Sequence, residues 1–360
     1  MDDNGPVVVT GACGLVGRAT VAHLLDRGRA VVATDLATPA TAKVARGWGE
    51  RDGLTVTWCD LTDPDAVRRL VAGAAPSAVV HLAAVIPPLC YARPDVARRV
   101  NVEATAHLVA ALRDEAPRAR LVHASSVAVH GARNPHRVDD LLGADTPLAP
   151  TDLYGALKAE AEGLVRASGL DWVVLRLGGV MTVEQSSGLD LDLVHFANLL
   201  PVDGRIQTVD VRDVAHAFAA ATTADAVREV LMIGGDDATH RLRQGDITPA
   251  MTSAAGLEGG IPRGRRGDPD DDTTWFATDW MDTARAQEVL GFQHHSWPAM
   301  LAEIRVASGR RRYLLRLLAP VLHEVLRRTN ARRGTALPFA GAPGAGAGPG
   351  AGAGAGALDG

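Results

Sequence analysis

Two residues of this chain, Tyr154 and Lys158, have the types and the spacing that acid–base chemistry requires. Residues four positions apart lie on one face of a helix. Held there, the ammonium of Lys158 favours the phenolate, so we expect it to lower the pKa of Tyr154 towards the working pH of a catalyst. Because tyrosine and lysine at this spacing also occur by chance on solvated helices, the pair indicates a function only together with other motifs.

A glycine-rich turn near the amino terminus is the second motif. Gly11, Gly14 and Gly17 fall between the first predicted strand and the first predicted helix. There a tight turn, a close backbone approach and a helix N-terminus together receive a pyrophosphate. Asp35 ends the second predicted strand, where an acid binds ribose hydroxyls, although it could also be a simple turn residue. A carboxylate there repels a 2′-phosphate, so the sequence predicts NAD rather than NADP and, with the tyrosine–lysine pair, hydride transfer at a carbon–oxygen bond.

Composition sets the broad class of the protein. The 360 residues are 47% apolar and 22% charged, which is typical of a globular protein of one or two domains. A net charge of −5 gives no reason to bind nucleic acid. Cys13, Cys59 and Cys90 lie far apart, so we expect neither disulfides nor a metal site. The first residues lack the features of a signal peptide and no apolar run is long enough to cross a membrane, so we expect a cytoplasmic protein.

Short valine-rich runs alternate with helical periodicity through the first two-thirds of the chain. The predicted strands, apolar on both faces, are residues 6–10, 30–34, 54–58, 78–81, 121–124 and 172–175. The predicted helices between them are residues 15–27, 64–72, 94–115 and 152–168. This order predicts an α/β fold with a doubly wound parallel sheet and helices on both of its faces.

Beyond Arg176 the alternation breaks down. A strand at 206–210, a helix at 211–223 and a strand at 229–233 are expected to return to the sheet. The predicted division is a nucleotide-binding core at 1–180, with 206–234 returning to its sheet, and a smaller substrate lobe at 181–205 and 235–308. The acidic run 268–272 is interpreted as a solvated loop, with a cation site as the alternative.

The carboxy-terminal segments stand apart from the rest of the chain. Residues 309–334 predict a basic amphipathic helix, whose arginines flank apolar residues at helical spacing, namely Leu314, Leu317, Leu318, Val321, Leu322, Val325 and Leu326. Such a helix at 310–333 could contact an anionic membrane surface, but we favour a terminal helix that packs on the body or on a partner subunit, kinked at Pro320. The Gly/Ala/Pro-rich residues 335–360 predict a disordered tail.

In combination and in order, these motifs resemble the extended short-chain dehydrogenase/reductase superfamily, specifically the NAD-dependent epimerase/dehydratase family, over roughly residues 6 to 305. The matching segments are residues 10–17 for TGxxGxxG, 60–61 for the adenine-contacting pair, 81–84 for the pocket strand, 101–105 for NVxGT, 125–131 for SSxxVYG, 175–176 for the start of LRxxN, Asp213 for VxDVA and 290–292 for LGF. Counting back from Gly131 makes Ser126, rather than Ser125, the serine of this pattern. His130 replaces its tyrosine.

The resemblance implies a Rossmann core, an interleaved carboxy-terminal substrate lobe and a homodimer formed through the helices at 94–115 and 152–168. Tyr154 would exchange the proton of a substrate hydroxyl, Lys158 would hold the nicotinamide ribose, and Ser126 would hydrogen-bond the substrate oxygen. The residues implied to contact NAD are Gly11, Gly14, Leu15, Val16, Gly17, Asp35, Asp60, Leu61, Leu82, Ala83, Ala84, Asn101, Tyr154 and Lys158. A non-catalytic NAD-binding sensor is the alternative from another functional class.

Two departures from the family pattern bear on the substrate, which is expected to be a small molecule. Gly179 stands where the family has the asparagine of LRxxN, and Ile206 aligns with the arginine that grips a diphosphate. Arg205 lies one position off and is expected to point to the opposite face of its strand. These departures bring a nucleotide-sugar substrate into question. The apolar run 85–89 could instead line a site for a hydrophobic alcohol or ketone, as in the hydroxysteroid-dehydrogenase branch, or be ordinary loop packing.

Three further residues or pairs are candidates on their own. His130 lies close to Ser126 but is interpreted as a pocket-wall residue rather than as a base. The neighbouring His294 and His295 are interpreted as surface residues. A helix N-terminus could activate the thiol of Cys13, but packing is its expected role.

Overall fold

A computed structural model of the chain describes residues 5–184, 190–262, 264–333 and 335–340. Its strands are β1 Val7–Thr10, β2 Val31–Asp35, β3 Leu54–Trp58, β4 Ala78–His81, β5 Arg120–Ser126, β6 Trp172–Leu177, β7 Gly179–Met181, β8 Arg205–Asp210, β9 Glu229–Ile233 and β10 Arg241–Arg243. Seven of them form one parallel sheet in the order β3-β2-β1-β4-β5-β6-β9. The predicted doubly wound parallel sheet is therefore confirmed.

Helices cover both faces of this sheet. The α-helices are α1 Leu15–Asp26, α2 Pro39–Trp48, α3 Pro64–Ala74, α4 Leu89–Ala92, α5 Pro94–Arg98, α6 Ala104–Glu115, α7 Leu153–Arg166, α8 Leu191–Leu199, α9 Val211–Ala221, α10 Gln244–Ala255, α11 Ala284–Leu290, α12 Trp297–Ser308 and α13 Arg311–Arg333. The predicted helix at 94–115 is interrupted by a π-helical turn, Arg99–Glu103. Side chains alternate across β1, so Val7 and Val9 pack towards α1 and α9, whereas Val8 packs towards α3 and α6.

Helix α2 has no counterpart among the predicted elements. Its start carries local signals, since Pro39 follows Thr38 and the side chain of Thr38 accepts a hydrogen bond from the backbone of Thr41. None of its residues is buried, however, so the apolar periodicity that reveals other helices is missing from it.

The expected return of residues 206–234 to the main sheet is wrong for its first strand. β9 does join the sheet and pairs with β6 from Val173 to Leu177, which occupies the outer edge of β6. β8 instead forms a separate three-stranded sheet, parallel to β7 and antiparallel to β10. Because β9 occupies the edge of β6, β8 pairs instead with β7, which follows Gly178, and with β10.

The small sheet and helices α10 and α12 make up a second apolar cluster. Its buried members are Ile206, Ile247, Trp297 and Met300. The acidic run 268–272 forms a turn that leads into a short 3₁₀ helix, and the described part of the chain contains no group of side chains that could hold a metal ion.

Helix α13 extends from this lobe. It packs on the body through Ala319 and Leu326 and continues through Pro320, while most of its apolar residues stay exposed. After it, Phe339 is buried against Phe196 and Phe276, so residues 335–340 pack on the body although the sequence assigns them to the tail. Residues 341–360 of the predicted tail lie outside the described residues. No helix in the described ranges combines the length and the apolar character needed to cross a membrane.

Candidate active site

The glycine turn brings the backbone of three segments into close contact. Gly11 has a φ of +64°, and a Cβ at this position would lie 2.8 Å from the backbone nitrogen of Ala83. A Cβ at Gly17 would lie 2.7 Å from the Cα of Ala12 and closer still to the carbonyl of Gly11. Gly14 is the N-cap of α1, and no side chain caps the first N–H groups of this helix. These uncapped donors lie beside the glycine turn and form a receptor for an anionic group.

The carboxylate of Asp35 lies beside this turn. Its Oδ2 accepts a hydrogen bond from the backbone N–H of Cys13 at 2.9 Å, and its Oδ1 accepts one from the N–H of Leu36 at 2.8 Å. Burial, together with the charge of Asp35, raises the pKa of the Cys13 thiol to about 11. The thiol is therefore protonated at neutral pH and has a packing role. Asp35 stays available to bind hydroxyl groups at the end of β2.

One cavity of about 410 Å³ runs from the glycine turn to the tyrosine–lysine pair. Of the residues predicted from the sequence, it is lined by Gly11, Gly14, Leu15, Val16, Gly17, Leu82, Ala84, Ser126, Tyr154 and Lys158. Asp35, Asp60, Leu61, Ala83 and Asn101 lie outside its lining. Asp60 accepts hydrogen bonds from the backbone and hydroxyl of Thr62, and Leu61 packs in the core.

Asn101 supports the wall of the cavity from behind. Its Oδ1 accepts a hydrogen bond from the N–H of Val85 at 2.7 Å, and its Nδ2 donates one to the carbonyl of the same residue at 2.9 Å. The π-helical turn places this side chain against the segment that follows β4. Asn101 therefore holds the cavity wall rather than lining it.

The amino-terminal turn of α7 positions Tyr154 and Lys158. Asp152 caps the helix by accepting a hydrogen bond from the N–H of Gly155 at 2.8 Å. A Cβ at Gly155 would lie 3.0 Å from the carbonyl carbon of Ala128 and closer to its oxygen, so α7 packs directly on the segment after β5. This approach places the side chains of Tyr154 and Ser126 together in the lining of the cavity.

The protonation of this pair differs from the prediction. Burial raises the pKa of Tyr154, and the hydrogen bond with Ser126 opposes this only in part. The Nζ of Lys158 donates a hydrogen bond to the carbonyl of Ala124 at 2.5 Å. Burial lowers the pKa of Lys158 to about 8, against the opposing charge of Glu162. The expectation that Lys158 lowers the pKa of Tyr154 is wrong, because burial of the phenol dominates and a backbone carbonyl holds the ammonium.

The two neighbouring serines point in different directions. Ser126 ends β5 at the cavity, and its hydroxyl accepts a hydrogen bond from the N–H of Ala128 at 3.2 Å. Ser125 donates to the Oε2 of buried Glu162 at 3.0 Å. Successive side chains of a strand alternate in direction, so only one of them can present its hydroxyl next to Tyr154. This geometry supports the choice of Ser126.

Glu162 and Arg176 form a buried ion pair beneath the site that the sequence does not reveal as such. Arg176 donates from Nε at 3.1 Å and from Nη2 at 2.6 Å to the two carboxylate oxygens of Glu162. Its Nη1 lies 3.3 Å from Nε2 of His130. The sequence does give a signal that Glu162 lies near the site, because Glu162 follows Lys158 by four residues on α7 and so lies on the same face.

The histidines near the cavity are poor candidates for a base. Burial lowers the pKa of His130, whose Nδ1 faces the carbonyl of Pro147. Burial also lowers the pKa of His81 to about 3 and that of His123 well below its usual range. All three are neutral at physiological pH. His295 lies 2.6 Å from Asp213 and His294 lies 3.3 Å from His216, so the two neighbouring histidines have different partners.

The lining of the cavity includes the apolar side chains of Ile86, Pro87, Leu177, Val180 and Phe276. Gly179 also lines it, and a Cβ there would lie 2.7 Å from the Cδ1 of Ile206, so the isoleucine fills the space that a side chain at 179 would take. These are the two positions where the family pattern has asparagine and arginine.

Arg205 does not line the cavity. Its guanidinium pairs with the buried carboxylate of Asp279 at 2.6 Å, donates to the carbonyl of Val138 and lies 5.2 Å from the ring centre of Trp280. The prediction that Arg205 faces away from the position of Ile206 agrees with this arrangement, because neighbouring residues of β8 point to opposite sides.

The residues of this cavity, together with the carboxylate of Asp35 beside it, fit a dinucleotide. The glycine turn leaves room for a pyrophosphate, the uncapped start of α1 offers N–H donors, and Asp35 ends β2 next to that turn. Carboxylate, open turn and tyrosine–lysine pair follow one another along the carboxyl edge of the parallel sheet, where ligands bind in open α/β folds.

Comparison with known proteins yields three kinds of match. The model of the NAD dependent epimerase/dehydratase family matches residues 7–234. D-erythronate dehydrogenase of Cupriavidus necator is 33% identical over 186 residues, 48% of this chain and 54% of that protein, so the chain spans about half the length of this relative. The 3-diazoavenalumate denitrifying reductase of a Streptomyces species is 30% identical over 324 residues, 81% of this chain and 97% of the relative. The solved structure of MoeE5 in complex with UDP-glucose and NAD is 25% identical, with a TM-score of 0.66, over 86% of this chain and 100% of that one.

Proposed function

The chain belongs to the NAD dependent epimerase/dehydratase family, and we propose that it is an oxidoreductase that moves hydride between NAD and the carbon of a secondary alcohol or ketone. The observation that supports this reaction is the meeting of Ser126, Tyr154 and Lys158 in the cavity that begins at the glycine turn. A dehydrogenase and a reductase among its relatives agree with a redox reaction, and the NAD in the solved structure of MoeE5 agrees with this cofactor.

We propose that the cofactor is held at the amino-terminal half of the cavity. The uncapped N–H groups of α1 bind its pyrophosphate, and the carboxylate of Asp35 binds the hydroxyls of its adenosine ribose. Lys158 binds the hydroxyls of the second ribose. When bound, NAD supplies the carbon that accepts or gives hydride and a positive charge on its oxidised ring.

Tyr154 is the proposed acid–base. With its pKa raised by burial, it is protonated at neutral pH in the free protein, so it can donate a proton to a ketone oxygen during reduction. Ser126 hydrogen-bonds the same oxygen and stabilises the negative charge that develops there. Oxidation runs the proton in the opposite direction and requires the phenolate, which positive charge near the hydroxyl favours.

Tyr154→Phe tests this assignment, because it removes one oxygen and keeps the ring. Turnover should fall by about 10²- to 10⁴-fold while NADH binding persists. The chain offers a matched control, since Tyr313 is an exposed tyrosine on α13, and Tyr313→Phe should leave turnover unchanged. Unchanged turnover in Tyr154→Phe would refute the proposed acid–base. NADH binding without turnover of any substrate would favour the sensor.

For the substrate, we propose a hydrophobic alcohol or ketone rather than a nucleotide sugar. The contact of Ile206 with Gly179 carries this proposal, because it replaces the polar groups of the family pattern by packed apolar ones. The apolar side chains in the cavity lining support it further. NAD reduction across a panel of nucleotide sugars, sterols and simple alcohols distinguishes the classes, and turnover confined to nucleotide sugars would refute the hydrophobic substrate. The homodimer through 94–115 and 152–168 stays a prediction, which gel filtration can test.

A further inference from the structure

Helix α13 is held on the body along one side. His323 faces the carbonyl of Gly259 at 2.8 Å, and Arg333 donates to Asp192 on α8 at 2.6 Å. Ala319 and Leu326 of the same helix are buried. Because contacts occur along most of its length, the position of the helix on the body is defined, and so is the side that it turns outwards.

The outward side carries an apolar stripe. Leu317 is 76% exposed, Tyr313 66% and Val321 63%, and these three follow one another at intervals of four residues. The remaining members of the stripe are Leu314, Leu318 and Val325, each about half exposed or more. Large apolar side chains rarely form a contiguous exposed patch on a monomer without an interaction partner. Helix α13 thus packs on the body through Ala319 and Leu326, whereas this stripe stays exposed.

Arginines surround the stripe. Residues 310–333 contain eight arginines and one carboxylate, Glu324, which gives a charge of +7, although the whole chain has a net charge of −5. Glu324 is already paired with Arg327 and Arg328. Among the residues that the structure describes, Arg310, Arg311, Arg316 and Arg332 have no carboxylate partner. This segment therefore presents a concentrated positive charge beside apolar side chains.

The charge decides which partner the stripe fits. A second copy of the chain, docked by two-fold symmetry, would bring the same arginines against each other and repel. An anionic lipid surface compensates them, and an amphipathic helix lying in the interface buries its apolar side among the lipid chains. At about 1.5 Å per residue, α13 is roughly 35 Å long, enough to lie along the surface. We propose that α13 docks the protein on anionic membranes, with the stripe inserted and the arginines at the headgroups.

Sedimentation of the full chain with vesicles tests the proposal, which does not rest on the proposed function. Vesicles of phosphatidylcholine with phosphatidylserine should bind the protein at least about tenfold more tightly than phosphatidylcholine alone. Binding should weaken as salt is raised, since salt screens exposed charges. Absence of binding to the anionic vesicles would overturn the proposal.

Two variants locate the binding surface. Leu317→Asp with Val321→Asp places charge in the stripe at exposed positions, so the fold should persist and vesicle binding should fall by about tenfold or more. Val227→Asp, at an exposed position outside α13, is the matched control and should bind as the wild type does. Should the double variant fail to fold, Arg311→Glu with Arg316→Glu replaces it, and each lost arginine should cost about fivefold in binding.

The remaining outcomes are equally decisive. Vesicle binding by Leu317→Asp with Val321→Asp at the wild-type level would overturn the proposal, as would wild-type binding by the arginine variant. A change from dimer to monomer in gel filtration, caused by the stripe variant alone, would identify the stripe as a contact between copies of the chain and would also overturn it. Turnover of a substrate dispersed in water is measured without vesicles and tests only the cavity. Failure of the proposed chemistry would therefore leave the vesicle-binding result interpretable.

Discussion

Replacing Lys158 by methionine should make the protein more stable at neutral pH while it abolishes turnover. Lys158 is 3% exposed, and burial lowers its pKa from 10.5 to about 8. Since one pKa unit corresponds to about 1.4 kcal/mol, keeping the ammonium charged in the folded protein costs about 3 kcal/mol. Methionine has a similar length and no charge. It forfeits the hydrogen bond to Ala124, worth about 1 kcal/mol, so the net gain should be about 2 kcal/mol at pH 7.

The stability difference between wild type and Lys158→Met should change with pH in a defined direction. Below pH 8 the ammonium is charged in both states, and the folded protein bears the full cost of burying it. Between pH 8 and 10.5 the folded state has released the proton that the unfolded state still holds, so the stability of the wild type rises with pH. The advantage of Lys158→Met should therefore shrink by about 2 kcal/mol between pH 7 and pH 9.5.

Urea denaturation of the two proteins at both pH values measures the difference, in which the titration of all other groups cancels. The control is Lys43→Met, because Lys43 is exposed and is the only other lysine of the chain. It should change the free energy of unfolding little at either pH. A stability difference between wild type and Lys158→Met that stays constant from pH 7 to pH 9.5 would refute the reasoning that the ammonium is desolvated.

Two further substitutions follow from the packing. Gly17→Ala should weaken NADH binding by about tenfold or more, because its Cβ meets the backbone at Gly11 and moves the start of α1. The control is Gly163→Ala, in the interior of α7 with open space around it. It should leave NADH binding unchanged and add about 0.5–1 kcal/mol to the free energy of unfolding. Equal NADH affinity in the two variants would contradict this. Glu162→Gln should lower the free energy of unfolding by about 3–5 kcal/mol, because it leaves the guanidinium of Arg176 buried without its counter-charge. A loss below 1 kcal/mol in urea denaturation would show that the pair is not structural.

The parallel sheet could be predicted because its strands are buried on both sides. Such strands are continuous valine-rich runs, and their alternation with helices specifies the layer order without knowledge of tertiary contacts. The placement of β8 could not be predicted, because it depends on whether β9 already occupies the edge of β6. Helix α2 could not be predicted because none of its residues is buried, so its sequence lacks the apolar periodicity of a packed helix.

Part of the lining of the candidate site could be predicted from the sequence, but its interactions could not. Spacing places Tyr154 and Lys158 on one face of α7, yet it cannot tell that the carbonyl of Ala124 holds the ammonium. Nor can it tell that the phenol is buried, and this burial raises the pKa of Tyr154 against the expected direction. The pairing of Arg176 with Glu162 is equally hidden, because it joins β6 to α7, two elements that lie apart in the sequence.

With 35 arginines and only two lysines, the chain is nearly empty of side-chain amines. Lysine-directed acylating reagents can therefore modify two side chains, one on the surface at position 43 and one inside the cavity at 158. The inner amine has a pKa of about 8, so a substantial share of it is unprotonated and nucleophilic under mildly alkaline conditions. Mass spectrometry of the labelled protein can measure the modification of these two positions separately. A ligand bound in the cavity should therefore be detected as protection of the Lys158 amine from the reagent.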